Sequence, residues 1–132
     1  MTQLLLDTTF LIDAERSGSD LDDVIDDDDD VAIAAITVAE LRVGVLLANA
    51  RAREARASYV GDVASSLPVL DYDIDVAEAH AVLLAHVRSQ GRPRGAHDLI
   101  IAATAKASGR KIVTADTTAF VDLPDVEVRP HR

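Results

Sequence analysis

The chain alternates short apolar runs with longer stretches in which apolar residues recur every three or four positions. Leu4-Leu5-Leu6 is the first run; it ends in Asp7, and Thr8-Thr9 then starts a helix through Phe10, Leu11 and Ile12. Ala32 to Ile36 is a second run, closed by Thr37, beyond which Val38, Leu41, Val45 and Ala48 share one helical stripe. Arg51 to Ser65, rich in Ala and Arg, predicts a helix with one face in water, and Leu67-Pro68-Val69-Leu70 a short strand. Val76, Ala79, Leu83 and Val87 mark the next amphipathic helix, and Gly91-Arg92-Pro93-Arg94-Gly95 must be a loop on its Gly and Pro content. Asp98 to Ser108 is helical again, with Leu99, Ile100, Ala103 and Ala107 as the expected buried positions and Gly109 as the stop. Ile112-Val113-Thr114 predicts a strand ending near Asp116, and Val126 to Arg129 alternates like a final edge strand.

Short apolar strands alternating with helices predict an α/β fold, a parallel sheet covered on both faces. At 132 residues, without an internal repeat or a visible linker, residues 1–132 are expected to form a single domain. Apolar residues make up 48% of the chain and aromatics 3%, so the core is aliphatic. The absence of cysteine excludes a disulfide framework, a thiolate zinc site and a cysteine nucleophile. No apolar run approaches the ~20 residues needed to span a bilayer. Met1-Thr2-Gln3-Leu4 lacks the basic start of a signal peptide, so a cytoplasmic protein with no membrane partner is the simplest expectation.

The formal net charge of −10 opposes binding of a polyanion unless the acids lie away from its path. Five of them form the run Asp26–Asp30, which lacks the glycine and late glutamate of a calcium loop and reads as a solvated loop. Four other acids fall at informative places. Asp7 ends the first strand, Glu40 lies one helical turn past the second, Asp116 lies just beyond a late strand, and Asp98 opens a helix after a loop. In open α/β sheets ligands bind beyond the carboxyl ends of the strands, where these four are expected to converge. Clustered carboxylates repel and raise one another's pKa values. A divalent cation removes that cost, and Mg²⁺ or Mn²⁺ favours such oxygen donors. The same cation can activate water towards a phosphodiester, so neither a His nor a Ser nucleophile is required.

The motifs Leu6-Asp7-Thr8-Thr9-Phe10-Leu11-Ile12-Asp13, Thr37-Val38-Ala39-Glu40-Leu41, His97-Asp98-Leu99-Ile100-Ile101-Ala102-Ala103 and Thr114-Ala115-Asp116, with Phe120 four residues on, resemble those of PIN domains. Within that family the chain is similar to the VapC-type toxins of bacterial toxin–antitoxin pairs, over nearly its whole length. The resemblance implies a three-layer sandwich around a mostly parallel five-stranded sheet, and RNA cleavage dependent on Mg²⁺ or Mn²⁺, with one or two ions. It also implies a homodimer within a hetero-oligomeric complex, and inhibition by a VapB-type antitoxin that presents a basic residue to the acidic site. Ala115 departs from the polar or bulkier residue of many relatives but removes no ligand.

Each motif has a plainer reading. Thr37 and Glu40 also form a helix capping box, Asp7 could merely cap a helix, Asp98 could complement a helix dipole, and Asp116 could be a turn residue. Thr114 is either a holder of Asp116 or of a substrate phosphate, or an ordinary strand residue. Arg88, Arg92 and Arg94 precede Asp98, and Arg92 and Arg94 are candidates for positioning RNA phosphates, against a solvated basic loop. Arg51, Arg53 and Arg56 read as a solvated helix face. His97 is expected to cap or to lie on the surface, and His80, His86 and His131 show no ligand spacing. A phosphatase of the haloacid dehalogenase type would need Asp where Thr9 stands, and a receiver domain would need a phosphoacceptor that Leu70-Asp71 does not supply. The remaining alternative is a non-catalytic PIN-like module whose acidic pocket binds a basic protein partner.

Overall fold

The computed structural model describes residues 1–18 and 25–130; His131 lies outside the described residues. Five strands, β1 (Gln3–Leu6), β2 (Asp30–Ala34), β3 (Val69–Leu70), β4 (Lys111–Thr114) and β5 (Val128–Pro130), form one sheet in the order β3-β2-β1-β4-β5. Every pairing is parallel. The helices α1 (Thr8–Ser17), α2 (Ala35–Leu47), α3 (Ala50–Ser66), α4 (Ile74–Gln90) and α5 (Ala96–Ser108) connect them. The α/β sandwich around a five-stranded sheet expected from the sequence is what the chain adopts.

The period of two along each strand divides the core between the layers. On β1, Leu5 joins α4 and α5 on one face while Leu4 and Leu6 face α1, α2 and α3 on the other. Ala32 and Ala34 of β2 and Ile112 of β4 follow Leu5; Ile33 and Val113 follow the other pair. The buried positions of the central strands are therefore almost all apolar, as burial on both faces demands; the polar positions are Gln3, Asp30 and Lys111 at the strand starts and Thr114 at the end of β4.

Helix α2 begins at Ala35, with Ala34 at the N-cap and no side-chain cap bond. Thr37 is therefore inside the helix, fully buried, and the capping-box reading of Thr37 and Glu40 is corrected. The run Ala32 to Ile36 passes from strand to helix with no polar boundary, so hydrophobicity alone does not mark where one ends. On α5, burial falls on Leu99, Ile101, Ala102, Ala103, Thr104 and Ala105, while Ile100 is half-buried and Ala107 exposed. Packing against both the sheet and α4 buries a broader face than a single stripe.

The acidic run leads into β2, whose first residue is Asp30, and so lies at the edge of the sheet opposite to the one where β1 and β4 end. Asp26, Asp27 and Asp28 are exposed, but the reading of the whole run as solvated loop needs correction. The Asp29 side chain is 4% exposed and pairs with Arg129 at 3.8 Å, while Asp30 pairs with Arg110 at 3.1 Å. Among the described residues, no helix is long and apolar enough to cross a membrane.

Candidate active site

Asp7 directly follows β1 and is 2% exposed. It caps α1, its Oδ1 accepting from the Phe10 N–H at 2.9 Å. Its Oδ2 accepts from the Thr114 hydroxyl at 2.7 Å, and the Thr9 hydroxyl sits 3.0 Å from both oxygens. Burial pushes this carboxyl above the usual range, the bonds from Thr114, Phe10 and Thr9 oppose that rise, and the charge of Asp98 adds to it. Thr114 Oγ1 in turn accepts the Asp116 N–H at 2.9 Å, so one hydroxyl links the acids beyond β1 and β4.

Asp98 lies in the first turn of α5, half-buried, after Gly95 at the N-cap. A Cβ on Gly95 would stand 2.7 Å from Asp98 Oδ2, so the missing side chain leaves the carboxylate its place. Burial raises the Asp98 pKa first, the charges of Glu40 and Asp116 raise it further, and His97 opposes them. Glu40, one turn into α2, receives the Thr8 hydroxyl on Oε1 at 2.7 Å and meets His97 Nδ1 through Oε2 at 3.3 Å. Asp116 is exposed and caps the 3₁₀ turn Thr117–Ala119, accepting on Oδ1 from the Thr118 hydroxyl at 2.6 Å.

The charge of Asp98 is thus felt by Asp7, and those of Glu40 and Asp116 by Asp98, although the four stand on four separate elements. They spread rather than crowd, with Asp7, Glu40 and Asp116 each turned to a neighbouring threonine hydroxyl. A tighter grouping exists elsewhere among the described residues: carboxylate oxygens of Asp26, Asp28 and Asp29 lie within 4.8 Å of one another and could hold a metal ion. There, however, Asp29 already accepts from the Asp26 N–H at 2.9 Å and pairs with Arg129.

Three residues not singled out by the sequence join the site: Thr8, Thr9 and His97. The threonines gave a usable signal, two hydroxyls directly after Asp7; the contact of His97 with Glu40 crosses 57 positions and gave none. The ring is exposed, as expected, but it faces a carboxylate rather than water alone. Arg92 is exposed, whereas Arg94 donates to the carbonyls of Ala119 and Val121. The oxygen donors of the acidic edge suit a hard divalent cation, which would relieve the repulsion that lifts Asp98.

Fold and geometry define an α/β domain with an acidic site beyond the carboxyl ends of its central strands. The model of the PIN domain matches residues 4–125, and the chain belongs to the PIN-domain family, among its VapC-type toxins. It is 36% identical over 112 residues to ribonuclease VapC5 of Mycobacterium tuberculosis (strain ATCC 25618 / H37Rv), covering 85% of this chain and 82% of that protein. Identity to toxin FitB of Neisseria gonorrhoeae (strain ATCC 700825 / FA 1090) is 35% over 129 residues, covering 89% and 90%. Among solved structures, a VapBC-5 chain from Mycobacterium tuberculosis superposes with a TM-score of 0.80 at 32% identity, over 98% of this chain and 99% of that one. A chain of VapBC2 from Rickettsia felis, bound to a DNA fragment from its promoter, shares the fold with a TM-score of 0.90 at 22% identity, over 99% and 100%.

Proposed function

We propose that residues 1–132 form one nuclease domain, the toxin of a type II toxin–antitoxin pair, which hydrolyses RNA phosphodiester bonds with Mg²⁺ or Mn²⁺. The observation that carries this reading is the placement of Asp7, Glu40, Asp98 and Asp116, from four elements, near enough that the charges of Glu40 and Asp116 act on Asp98 and that of Asp98 on Asp7. Acids brought together so that the charges of Glu40 and Asp116 oppose the ionisation of Asp98, and that of Asp98 the ionisation of Asp7, are a poor structural device and a good cation site. Asp7, Glu40, Asp98 and Asp116 would hold the ion or ions. When bound, one or two such cations supply an acidified water for attack and screen the phosphoryl charge.

The protein's own part is to hold these oxygens ready. Asp7 is fixed by the Phe10 N–H and by the Thr114 and Thr9 hydroxyls, and Glu40 by Thr8. Thr114 serves here as a positioning residue for Asp7 and Asp116, and Arg92 is the better placed of the loop arginines to meet a phosphate. Much of the negative charge sits at the opposite edge of the sheet and so need not repel the substrate.

VapBC and FitAB complexes among the structural relatives support a partner antitoxin of VapB type, whose basic side chain would compete for the acidic edge. A homodimer is supported by an exposed apolar stripe on α2. Ala39 and Val43 continue from Ile36 to Leu46, beside a hollow of about 350 Å³ lined by Leu70, Tyr72 and Ile100.

The test is cleavage of a mixed cellular RNA pool by antitoxin-free protein in Mg²⁺, Mn²⁺ or chelator, beside Asp98→Asn. Metal-dependent fragments that the variant fails to make are expected. A folded, metal-binding protein that cuts nothing would return the chain to the reading of a module engaging a basic partner.

A further inference from the structure

The backbone that follows Asp116 is held from the side by the loop between α4 and α5. Arg94 Nη1 donates to the Ala119 carbonyl at 3.1 Å and Nη2 to the Val121 carbonyl at 2.5 Å. These two carbonyls flank Phe120, whose ring is 1% exposed. Ala119 ends the 3₁₀ turn that Asp116 caps, so the arginine grips that turn at its far end. His86 of α4 approaches the next carbonyl, that of Asp122, at 3.2 Å. The residue after Arg94 is Gly95, which leaves the Asp98 carboxylate its place.

From this we propose that Arg94 is a positioning residue: it ties the turn capped by Asp116 to the loop that delivers Asp98, and so sets the spacing of the two carboxylates. The inference rests on the reading of the four acids as a cation site. A planar guanidinium suits the task because its fixed fork spans two carbonyls, whereas an ammonium is a point donor. It also assigns Arg94 a duty other than a phosphate contact, since one N–H of each terminal nitrogen is spent on the backbone and holds the fork in place.

Two quantities separate these duties: Mn²⁺ affinity, read by electron paramagnetic resonance well below the melting temperature, and the salt dependence of RNA binding. Groups that orient metal ligands typically contribute ten-fold or more to metal affinity. Arg94→Ala is therefore expected to weaken Mn²⁺ binding on the order of ten-fold, with Arg94→Lys restoring part of it. The slope of log affinity against log salt should stay that of the parent. A Mn²⁺ affinity within about two-fold of the parent, even with a lowered melting temperature, overturns the proposal. So does a slope flattened by about 0.7, the signature of one lost phosphate contact to a single strand. Parent protein that binds no Mn²⁺ removes the cation site itself, and is thereby distinguished from a failure of Arg94 alone.

Discussion

At the scale of single residues, the acidic edge holds a carboxyl where its ionisation is opposed. The Asp98 carboxyl is raised from its ordinary 3.8 by burial and then by Glu40 and Asp116. A carboxyl whose folded pKa exceeds its unfolded one binds more protons in the folded state within that window, so stability falls as pH rises through it. The cost is fully present above the raised value and absent below the ordinary one. Asp98→Asn should therefore melt a few degrees above the parent at neutral pH in chelator, with the gap closing as pH falls towards 3.8. Thermal unfolding followed by circular dichroism across that range checks this; a variant that melts level with or below the parent at neutral pH contradicts it. Asp7 is balanced differently, since three hydrogen-bond donors oppose the effect of its burial, which still prevails. Two of those donors, the Thr9 hydroxyl and the Phe10 N–H, lie within three positions of Asp7; only the third, Thr114, 107 positions away, was invisible in the sequence.

At the scale of elements, most of the framework was legible because strand and helix carry different hydrophobic periods. What was misplaced was the start of α2, where an unbroken apolar run crosses the boundary and Thr37 offered a false cap. Tertiary context also changed the acidic run. Arg110, just before β4, donates to the Leu4 carbonyl at 3.2 Å, to the Asp30 carbonyl at 2.6 Å and to Asp30 Oδ1 at 3.1 Å. It thereby joins the beginnings of β1, β2 and β4, with its side chain only 10% exposed. Its Nε is buried without a partner, so the tie is imperfectly satisfied. Bonds to a charged group contribute about 1.5–3 kcal/mol, and Arg110→Met is expected to cost on the order of 2 kcal/mol in urea unfolding. Since this tie lies at the opposite edge from Asp7 and Asp116, cleavage by the folded fraction should be unchanged. A loss below about 0.5 kcal/mol would show the ion pair to be incidental.

At the scale of the whole molecule, the apolar stripe of α2 is left exposed by the chain's own packing. Val43 is 51% exposed, Leu46 72% and Leu47 82%. If that face joins two copies, Val43→Asp should shift sedimentation from dimer to monomer while leaving the circular dichroism spectrum intact; parent and variant sedimenting alike would place the dimer contact elsewhere or remove it. The sequence by itself determined the α/β class, the alternation of layers and the candidacy of Asp7, Glu40, Asp98 and Asp116, because periodicity and residue chemistry are local properties that short segments carry. Only the tertiary structure decided which groups hold those acids in place. Thr8 against Glu40, Thr114 between Asp7 and Asp116, and Arg94 across to the turn beyond Asp116 are contacts between distant segments. The parallel order β3-β2-β1-β4-β5 brings the ends of β1 and β4 side by side, and hydrogen bonds between residues so far apart in the chain follow from that adjacency rather than from any local pattern.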